Sequence, residues 1–115
     1  MVAPRHAPLL EQDPFAIRPY LVFWEVTRAC ALACQHCRAE AQPRRHPTEL
    51  TDGEAITLID QLADLAPPML ILTGGDPLMR RDILKIARHA THAGMRVGLS
   101  PAGTNRLTHC DFDAI

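Results

Sequence analysis

A run of apolar residues near the middle of the chain limits the possible folds more than any other feature. Met69-Leu70-Ile71-Leu72 is apolar at successive positions and continues into Thr73, so a strand formed by this run would present apolar side chains on both faces of a sheet. Strands of this kind are covered by helices on two sides or form staves of a barrel. Pro67 and Pro68 precede the run and would end any helix before it. The run therefore predicts an α/β fold with a parallel sheet.

The segments on either side of this run alternate between strand and helix patterns. Leu21–Thr27 is rich in β-branched and aromatic residues, and Met95–Ser100 is a third candidate strand. Thr51 and Glu54 have the spacing of a capping box at a helix start, and Gly94 can close a second helix in a left-handed conformation. The apolar residues at helical spacing are Ala55, Leu58, Ile59, Leu62 and Leu65 in the first helix, and Ile83, Ile86, Ala87, Ala90 and Ala93 in the second. This order predicts right-handed parallel β/α units, with about three parallel strands and intervening helices.

The length of the chain fits only part of a closed barrel. With 115 residues the chain can form one domain at most, whereas a closed eight-stranded β/α barrel needs about 250 residues. We therefore expect residues 20–115 to be the N-terminal portion of a larger, truncated barrel. Residues 1–19 contain four prolines and are expected to form a proline-rich lead-in. Residues 107–115 can begin a third helix.

Charge and hydropathy exclude several classes of partner. The formal net charge of −1, from 12 basic and 13 acidic residues, gives no field that would attract a nucleic acid or an anionic membrane. The longest apolar runs are far shorter than the ~20 residues that span a bilayer, and Met1–Leu10 lacks the apolar core of a signal peptide. We expect a cytoplasmic protein that binds neither nucleic acid nor membrane. The adjacent Arg80 and Arg81 are expected to be solvated surface charge.

Three of the four cysteines lie close together, directly after the first predicted strand. Cys30, Cys34 and Cys37 have C-x3-C-x2-C spacing, and thiolates this close together suit an iron–sulfur cluster or a zinc ion. Because a cubane cluster has four irons, three cysteines leave one iron open for a substrate or cofactor. A closed zinc site needs a fourth ligand, for which the candidates are His36, His46 and Cys110. The alternative to a cluster enzyme is therefore a non-catalytic zinc-binding interaction module.

Two motifs at the ends of successive predicted strands resemble those of one enzyme family. The three-cysteine motif follows the first strand and Gly74-Gly75-Asp76-Pro77 follows the second, which resembles the N-terminal part of radical S-adenosylmethionine (radical SAM) enzymes. Phe23–Cys30 also resembles the lead-in of the branch that carries a C-terminal extra-cluster domain (SPASM-type), which includes haem-pathway and peptide-modifying enzymes. The resemblance covers about residues 21–105. It implies a partial (β/α) barrel of the radical SAM type.

The resemblance implies the cluster ligands and the reaction. Cys30, Cys34 and Cys37 would ligate a [4Fe-4S] cluster, whose fourth iron would be chelated by the amino and carboxylate groups of SAM. An electron from a donor such as flavodoxin or ferredoxin would pass through the cluster and cleave SAM reductively. The resulting 5′-deoxyadenosyl radical would abstract hydrogen from a haem-precursor-like or peptide substrate. We expect an oxidoreductase or maturase that is inactive as this chain alone, because the SAM contacts of later strands have no counterpart in it.

The SAM contacts implied by the resemblance lie at the ends of the predicted strands, where β/α barrels bind their ligands. Gly74, Gly75 and Asp76 would bind the SAM amino group, with an Asp where the family commonly has a Glu. The two glycines allow the backbone to approach a ligand closely, so we expect a side chain at Gly75 to stand between the strand end and the ligand. His36, at a position where Tyr or Phe is common, would lie by the adenine. Ser100 is a further candidate for a SAM contact.

Overall fold

The strands and helices of the protein follow the predicted alternation. The computed structural model describes residues 19–32, 42–103 and 105–110. In chain order the elements are β1 (Leu21–Thr27), α1 (Asp52–Leu65), β2 (Met69–Gly74), a 3-10 helix (Pro77–Met79), α2 (Ile83–His92), β3 (Arg96–Leu99) and α3 (Asn105–Thr108). In this part of the chain the strands form one parallel sheet in the order β1-β2-β3, so the predicted set of about three parallel strands with intervening helices is confirmed. No helix among these residues is long and apolar enough to cross a membrane.

Helices α1 and α2 pack against one face of the sheet. Leu70 and Leu72 of β2 are fully buried on this face, in one cluster with Ile59 of α1 and Ile86 of α2. Val26 at the end of β1 belongs to the same cluster and is 1% exposed. Because the burial of one such aliphatic side chain stabilises a fold by roughly 1.5–3 kcal/mol, this cluster holds the sheet and both helices together.

The opposite face of the sheet is not covered by helices within the described residues. Leu21 and Phe23 of β1, which point to this face, are 43% and 59% exposed, and Ile71 of β2 is half-buried. Within the described residues, the helix layer therefore covers one face of the sheet.

Helix α1 begins at the capping box that the sequence predicted. The Thr51 N–H donates to Glu54 Oε1 (2.9 Å), and Thr51 Oγ1 accepts from the Glu54 N–H (3.3 Å). The hydrogen bond to the Thr51 backbone and, to a smaller extent, the one to the Thr51 side chain hold the pKa of Glu54 below its usual value. The helix ends at Ala66, in the left-handed region with φ 48°, before the two prolines. Gly94, with φ 97°, follows α2 as predicted.

The observed elements differ from the predicted ones in a few places. Strand β3 is shorter than its predicted range, and α3 begins at Asn105 rather than at Leu107. The 3-10 helix was not predicted, although Asp76-Pro77 is a local signal for it, because Asp76 caps its first turn and Pro77 fixes φ. Residues 1–18 and 111–115 lie outside the described residues, so the lead-in and the domain bounds stay predictions.

Candidate functional site

The carboxyl ends of the three strands lie at one edge of the sheet, and the described site candidates are found there. Cys30 follows β1, Gly74 and Gly75 lie at the end of β2, and Ser100 follows β3. Ser100 is exposed, and its N–H donates to Leu72 O (3.0 Å). The remaining predicted site residues, Cys34, His36 and Cys37, lie outside the described residues.

Cys30 is a buried thiol, 8% exposed, at the start of the loop after β1. Its N–H donates to Gln42 O (2.7 Å), and the Gln42 N–H donates to Arg28 O (2.8 Å). These two bonds form a short parallel bridge between Ala29 and Gln42, which joins the two ends of the cysteine loop. Cys30 Sγ accepts a hydrogen bond from the Leu32 N–H (3.4 Å). Hydrogen bonds to sulfur tune the cysteine ligands of iron–sulfur clusters.

The backbone of residues 26–30, which we call the anchor peptide, is held by several parts of the chain. Each carbonyl group from Val26 to Ala29 accepts a hydrogen bond from a residue distant in sequence. In chain order the donors are Arg80 Nη1 (2.8 Å) and the N–H groups of Gly75 (2.9 Å), Gln42 (2.8 Å) and Asp76 (2.7 Å). A buried carbonyl without a donor costs about 1–3 kcal/mol. The four bonds therefore fix the backbone that carries Cys30.

Glu49 connects the segment before α1 to the anchor peptide. Its Oε1 accepts hydrogen bonds from Thr27 Oγ1, from the Arg28 N–H (3.1 Å) and from the His46 N–H (3.3 Å). Its Oε2 lies 3.3 Å from Arg45 Nε, and the Glu49 side chain is only 9% exposed. The sequence analysis did not identify Glu49, because its donors come from segments that only the fold brings together.

Gly74 and Gly75 are required by the close approach of β2 to the anchor peptide. Gly74 has φ 143°, in the region that favours glycine, and a Cβ there would overlap Thr27 O. A Cβ on Gly75 would lie 2.5 Å from Ala29 O and 2.6 Å from Arg28 O. The sequence suggested that a side chain at Gly75 would stand in the path of a ligand. The structure gives a different reason for this glycine, which is backbone packing against the peptide that carries Cys30.

Asp76 is fully buried and has two structural roles. Its N–H donates to Ala29 O (2.7 Å), and its Oδ1 accepts from the Leu78 N–H (3.0 Å) at the start of the 3-10 helix. The backbone of Asp76 therefore contributes to the anchor peptide, while its carboxylate orders the turn that follows β2.

Arg80 corrects one sequence prediction. It was expected to be solvated charge, but it is 8% exposed, whereas its neighbour Arg81 is exposed as expected. Arg80 Nε lies 2.7 Å from Asp82 Oδ1. Burial alone would raise the pKa of Asp82, but the hydrogen bonds and positive charge of Arg80 outweigh it and hold that pKa below its usual value. The sequence signal that could have found this pair is the Asp two residues after the Arg.

A comparison with family models identifies the family of the chain. The model of the Radical SAM superfamily matches residues 24–111, which is more than half of the chain. The chain belongs to the radical SAM superfamily. This result confirms the resemblance seen in the cysteine and glycine motifs, and it does not support the alternative of a zinc-binding interaction module.

Curated relatives of the chain include heme synthases and a mycofactocin maturase. The chain is 52% identical over 84 residues to the AdoMet-dependent heme synthase of Oleidesulfovibrio alaskensis, covering 73% of this chain and 22% of the relative. It is 46% identical over 86 residues to the AdoMet-dependent heme synthase of Methanosarcina barkeri (75% and 25% covered). It is 32% identical over 101 residues to a mycofactocin maturase of Mycobacterium tuberculosis (82% and 26% covered). The chain spans about a quarter of the length of these relatives, and its relationship to the SPASM-type branch is confirmed.

The radical SAM family implies the use of SAM and an iron–sulfur cluster, and the described residues fit that requirement. Cys30 offers a buried sulfur that already accepts one N–H bond, on a backbone fixed by its neighbours. Gly75 and Asp76 lie against the same backbone. The edge of the sheet therefore combines a soft ligand for iron with a glycine-lined strand end.

The contact between Gly75 and the anchor peptide generates a prediction. Gly75→Ala should destabilise the fold and also lower the iron content after reconstitution, because its Cβ would push Arg28 and Ala29 away from β2. The measurements are urea unfolding and iron per chain. Gly53→Ala is the control, since a Cβ at Gly53 meets no atom within 4 Å and Ala favours a helix. Normal iron content in Gly75→Ala would contradict this assignment.

The ion pair of Arg80 and Asp82 predicts a pH dependence. Because the pKa of folded Asp82 is below its usual value of 3.8, the stabilisation by Asp82 is fully present above that value and is lost as the pH falls through the lower folded value. The difference in the free energy of unfolding between the wild type and Asp82→Asn should therefore be largest well above pH 3.8 and shrink as the pH falls below that value. If this difference in the free energy of unfolding stays constant with pH, the charge of Asp82 does not contribute to stability.

Proposed function

We propose that this chain forms the cluster-binding and SAM-binding part of a radical SAM enzyme that acts on a haem precursor. The observation that carries the proposal is the anchor peptide, which holds Cys30 next to Gly75 and Asp76 in a chain of the radical SAM superfamily. Ligand sites of β/α folds lie at the carboxyl ends of the strands, where this peptide lies.

The proposed cluster is a [4Fe-4S] cluster with Cys30, Cys34 and Cys37 as ligands. Thiolates are the ligands that such clusters take, and three of them leave one iron for SAM. Cys30 contributes a sulfur whose backbone is fixed on both sides, by β2 and by the bridge to Gln42. When bound, the cluster would supply the electron that cleaves SAM. We propose an electron donor such as flavodoxin or ferredoxin as the source of that electron.

The proposed SAM contacts are at the ends of β2 and β3. The ammonium group of SAM needs hydrogen-bond acceptors, and the Asp76 side chain is fully buried, where its Oδ1 accepts from the Leu78 N–H. The backbone carbonyls of Gly74 and Gly75 are therefore the proposed acceptors, with Asp76 ordering the turn beneath them. Ser100 is exposed at the end of β3 and is proposed to contact SAM, and His36 is proposed to lie by the adenine.

Replacement of single cysteines tests the cluster assignment. The chain, reconstituted anaerobically with iron and sulfide, should take up about four irons and absorb broadly at around 400 nm. Cys30→Ala, Cys34→Ala and Cys37→Ala should each lose this absorption, because two thiolates cannot hold the cluster. Iron, sulfide and the visible spectrum are the measurements.

Cys110→Ala is the matched control for these variants, because Cys110 lies outside the three-cysteine motif. Unchanged iron uptake by Cys110→Ala is expected. A requirement for Cys110 equal to that for Cys30 would contradict the open-iron cluster and indicate a four-ligand site.

The haem-precursor substrate is proposed because identity to the relatives named heme synthase, 52% and 46%, exceeds the 32% identity to the mycofactocin maturase. A chimera tests the choice. A chimera of the Oleidesulfovibrio alaskensis heme synthase, in which this chain replaces the aligned segment, should still form a measurable amount of haem. The same exchange in the mycofactocin maturase should abolish peptide maturation. The opposite pair of results would assign the chain to the peptide-modifying relatives.

A further inference from the structure

Strand β1 contains a β-bulge next to its last residue. Glu25 pairs with Thr73 of β2 and Thr27 pairs with Gly74, so Val26 is an extra residue in β1. Bulges bend a strand and change the direction of the chain that follows, and here the bulge leads into the anchor peptide. Because Val26 is 1% exposed, its carbonyl needs a donor from the protein itself.

Arg80 supplies the donor for the bulged carbonyl. Its Nη1 donates to Val26 O (2.8 Å), and its Nη2 donates to Leu50 O (2.7 Å), at the residue before the N-cap of α1. The guanidinium carbon lies 5.8 Å from the centre of the Trp24 ring, within the range of cation–π attraction. One side chain therefore connects the bulge, the body of β1 and the entry to α1.

Asp82 holds the guanidinium in this orientation. Arg80 Nε donates to Asp82 Oδ1 (2.7 Å) and Nη2 donates to Oδ2 (3.3 Å). Asp82 occupies the N-cap of α2, yet its side chain makes no capping hydrogen bond. An Asp at this position usually stabilises a helix by accepting from its first amides. Here the carboxylate binds Arg80 instead, and such departures from local rules are typical of functional positions.

We propose that Arg80 is a positioning residue of the cofactor site, which fixes the bulge at Val26 and thereby the backbone direction at Cys30. The proposal rests on the proposed function, because it assigns Cys30 to the cluster. A guanidinium is planar and offers its donors in a fixed fork, so it reaches Val26 O, Leu50 O and Asp82 together. The ammonium group of Lys is a point donor on a flexible stem, so Arg80→Lys would keep the charge and lose part of this fork.

The rate of iron release from reconstituted chains tests the proposal. The variant is Arg80→Lys, and the controls are Arg81→Lys at the exposed neighbour and Ile86→Val in the buried core of α2. Ile86→Val destabilises the fold without touching the fork. Each variant is kept at a urea concentration that lies the same amount below its own unfolding midpoint. The rate at which its iron passes to a chelator is then measured. We expect Arg80→Lys to release iron about tenfold faster than both controls, since loss of a partner behind a metal ligand typically has an effect of that size.

Equal release rates in Arg80→Lys and the two controls would overturn the proposal, because a general loss of stability would then explain the variant. If Arg80→Lys does not fold, Asp82→Asn takes its place, since it keeps Arg80 and weakens one arm of the fork. Faster release than in Ile86→Val is expected from Asp82→Asn as well. Release at the rate of Ile86→Val would overturn the proposal.

Amide hydrogen exchange in the metal-free chain separates this proposal from the proposed function. The N–H groups of Cys30, Gly75 and Asp76 should exchange faster in Arg80→Lys than in Ile86→Val at matched stability, because their acceptors belong to or adjoin the anchor peptide. Failure of the wild type to take up a cluster would disprove the proposed function. Faster amide exchange in Arg80→Lys would still show that Arg80 fixes the backbone at Cys30. Unchanged exchange at all three amides would overturn the role of Arg80.

Discussion

Backbone hydrogen bonding at the end of β1 is the constraint on which the rest of the site depends. Four successive carbonyl groups, from Val26 to Ala29, take their donors from the residues directly after β2, from the segment after the cysteines and from Arg80. Because an unpaired buried carbonyl is costly, none of these segments can move away alone. The position of Cys30 therefore depends on all of the segments that meet at this edge of the sheet.

The parallel order of the strands makes this convergence possible. Each β/α unit returns the chain to the same edge of the sheet, so Gly74–Asp76 arrives beside the anchor peptide although many residues separate them. The absence of a Cβ at Gly75 then allows two backbones to touch. The two glycines therefore form the contact between the ends of β1 and β2.

The elements of the fold could be predicted from the sequence, because their signals are local. The capping box at Thr51 and the strand-like run at Leu21–Thr27 both depend on neighbours in the chain, and both were placed correctly. The burial of Arg80 was not predicted. The neighbouring Asp82 suggests an ion pair, but another acceptor of Arg80 is the carbonyl of a bulge that forms only when β1 pairs with β2. The position of Gly75 was identified, but the reason for it was not, because that reason is a distance between two strands. The spacing of the three-cysteine motif identified Cys34 and Cys37, and the family resemblance identified His36. All three stay predictions.

The bridge between Ala29 and Gln42 has a consequence for how a metal centre can assemble. A loop whose ends are already together has lost much of its chain entropy, and for a flexible loop this loss grows only with the logarithm of the number of residues enclosed. The hydrogen bonds of this bridge therefore contribute to the closure of the loop. A doubling in the length of the enclosed segment should consequently raise the free energy of loop closure by only about 0.6 kcal/mol. The spacing of the thiolates, more than the size of the loop, therefore sets which sequences can hold a cluster.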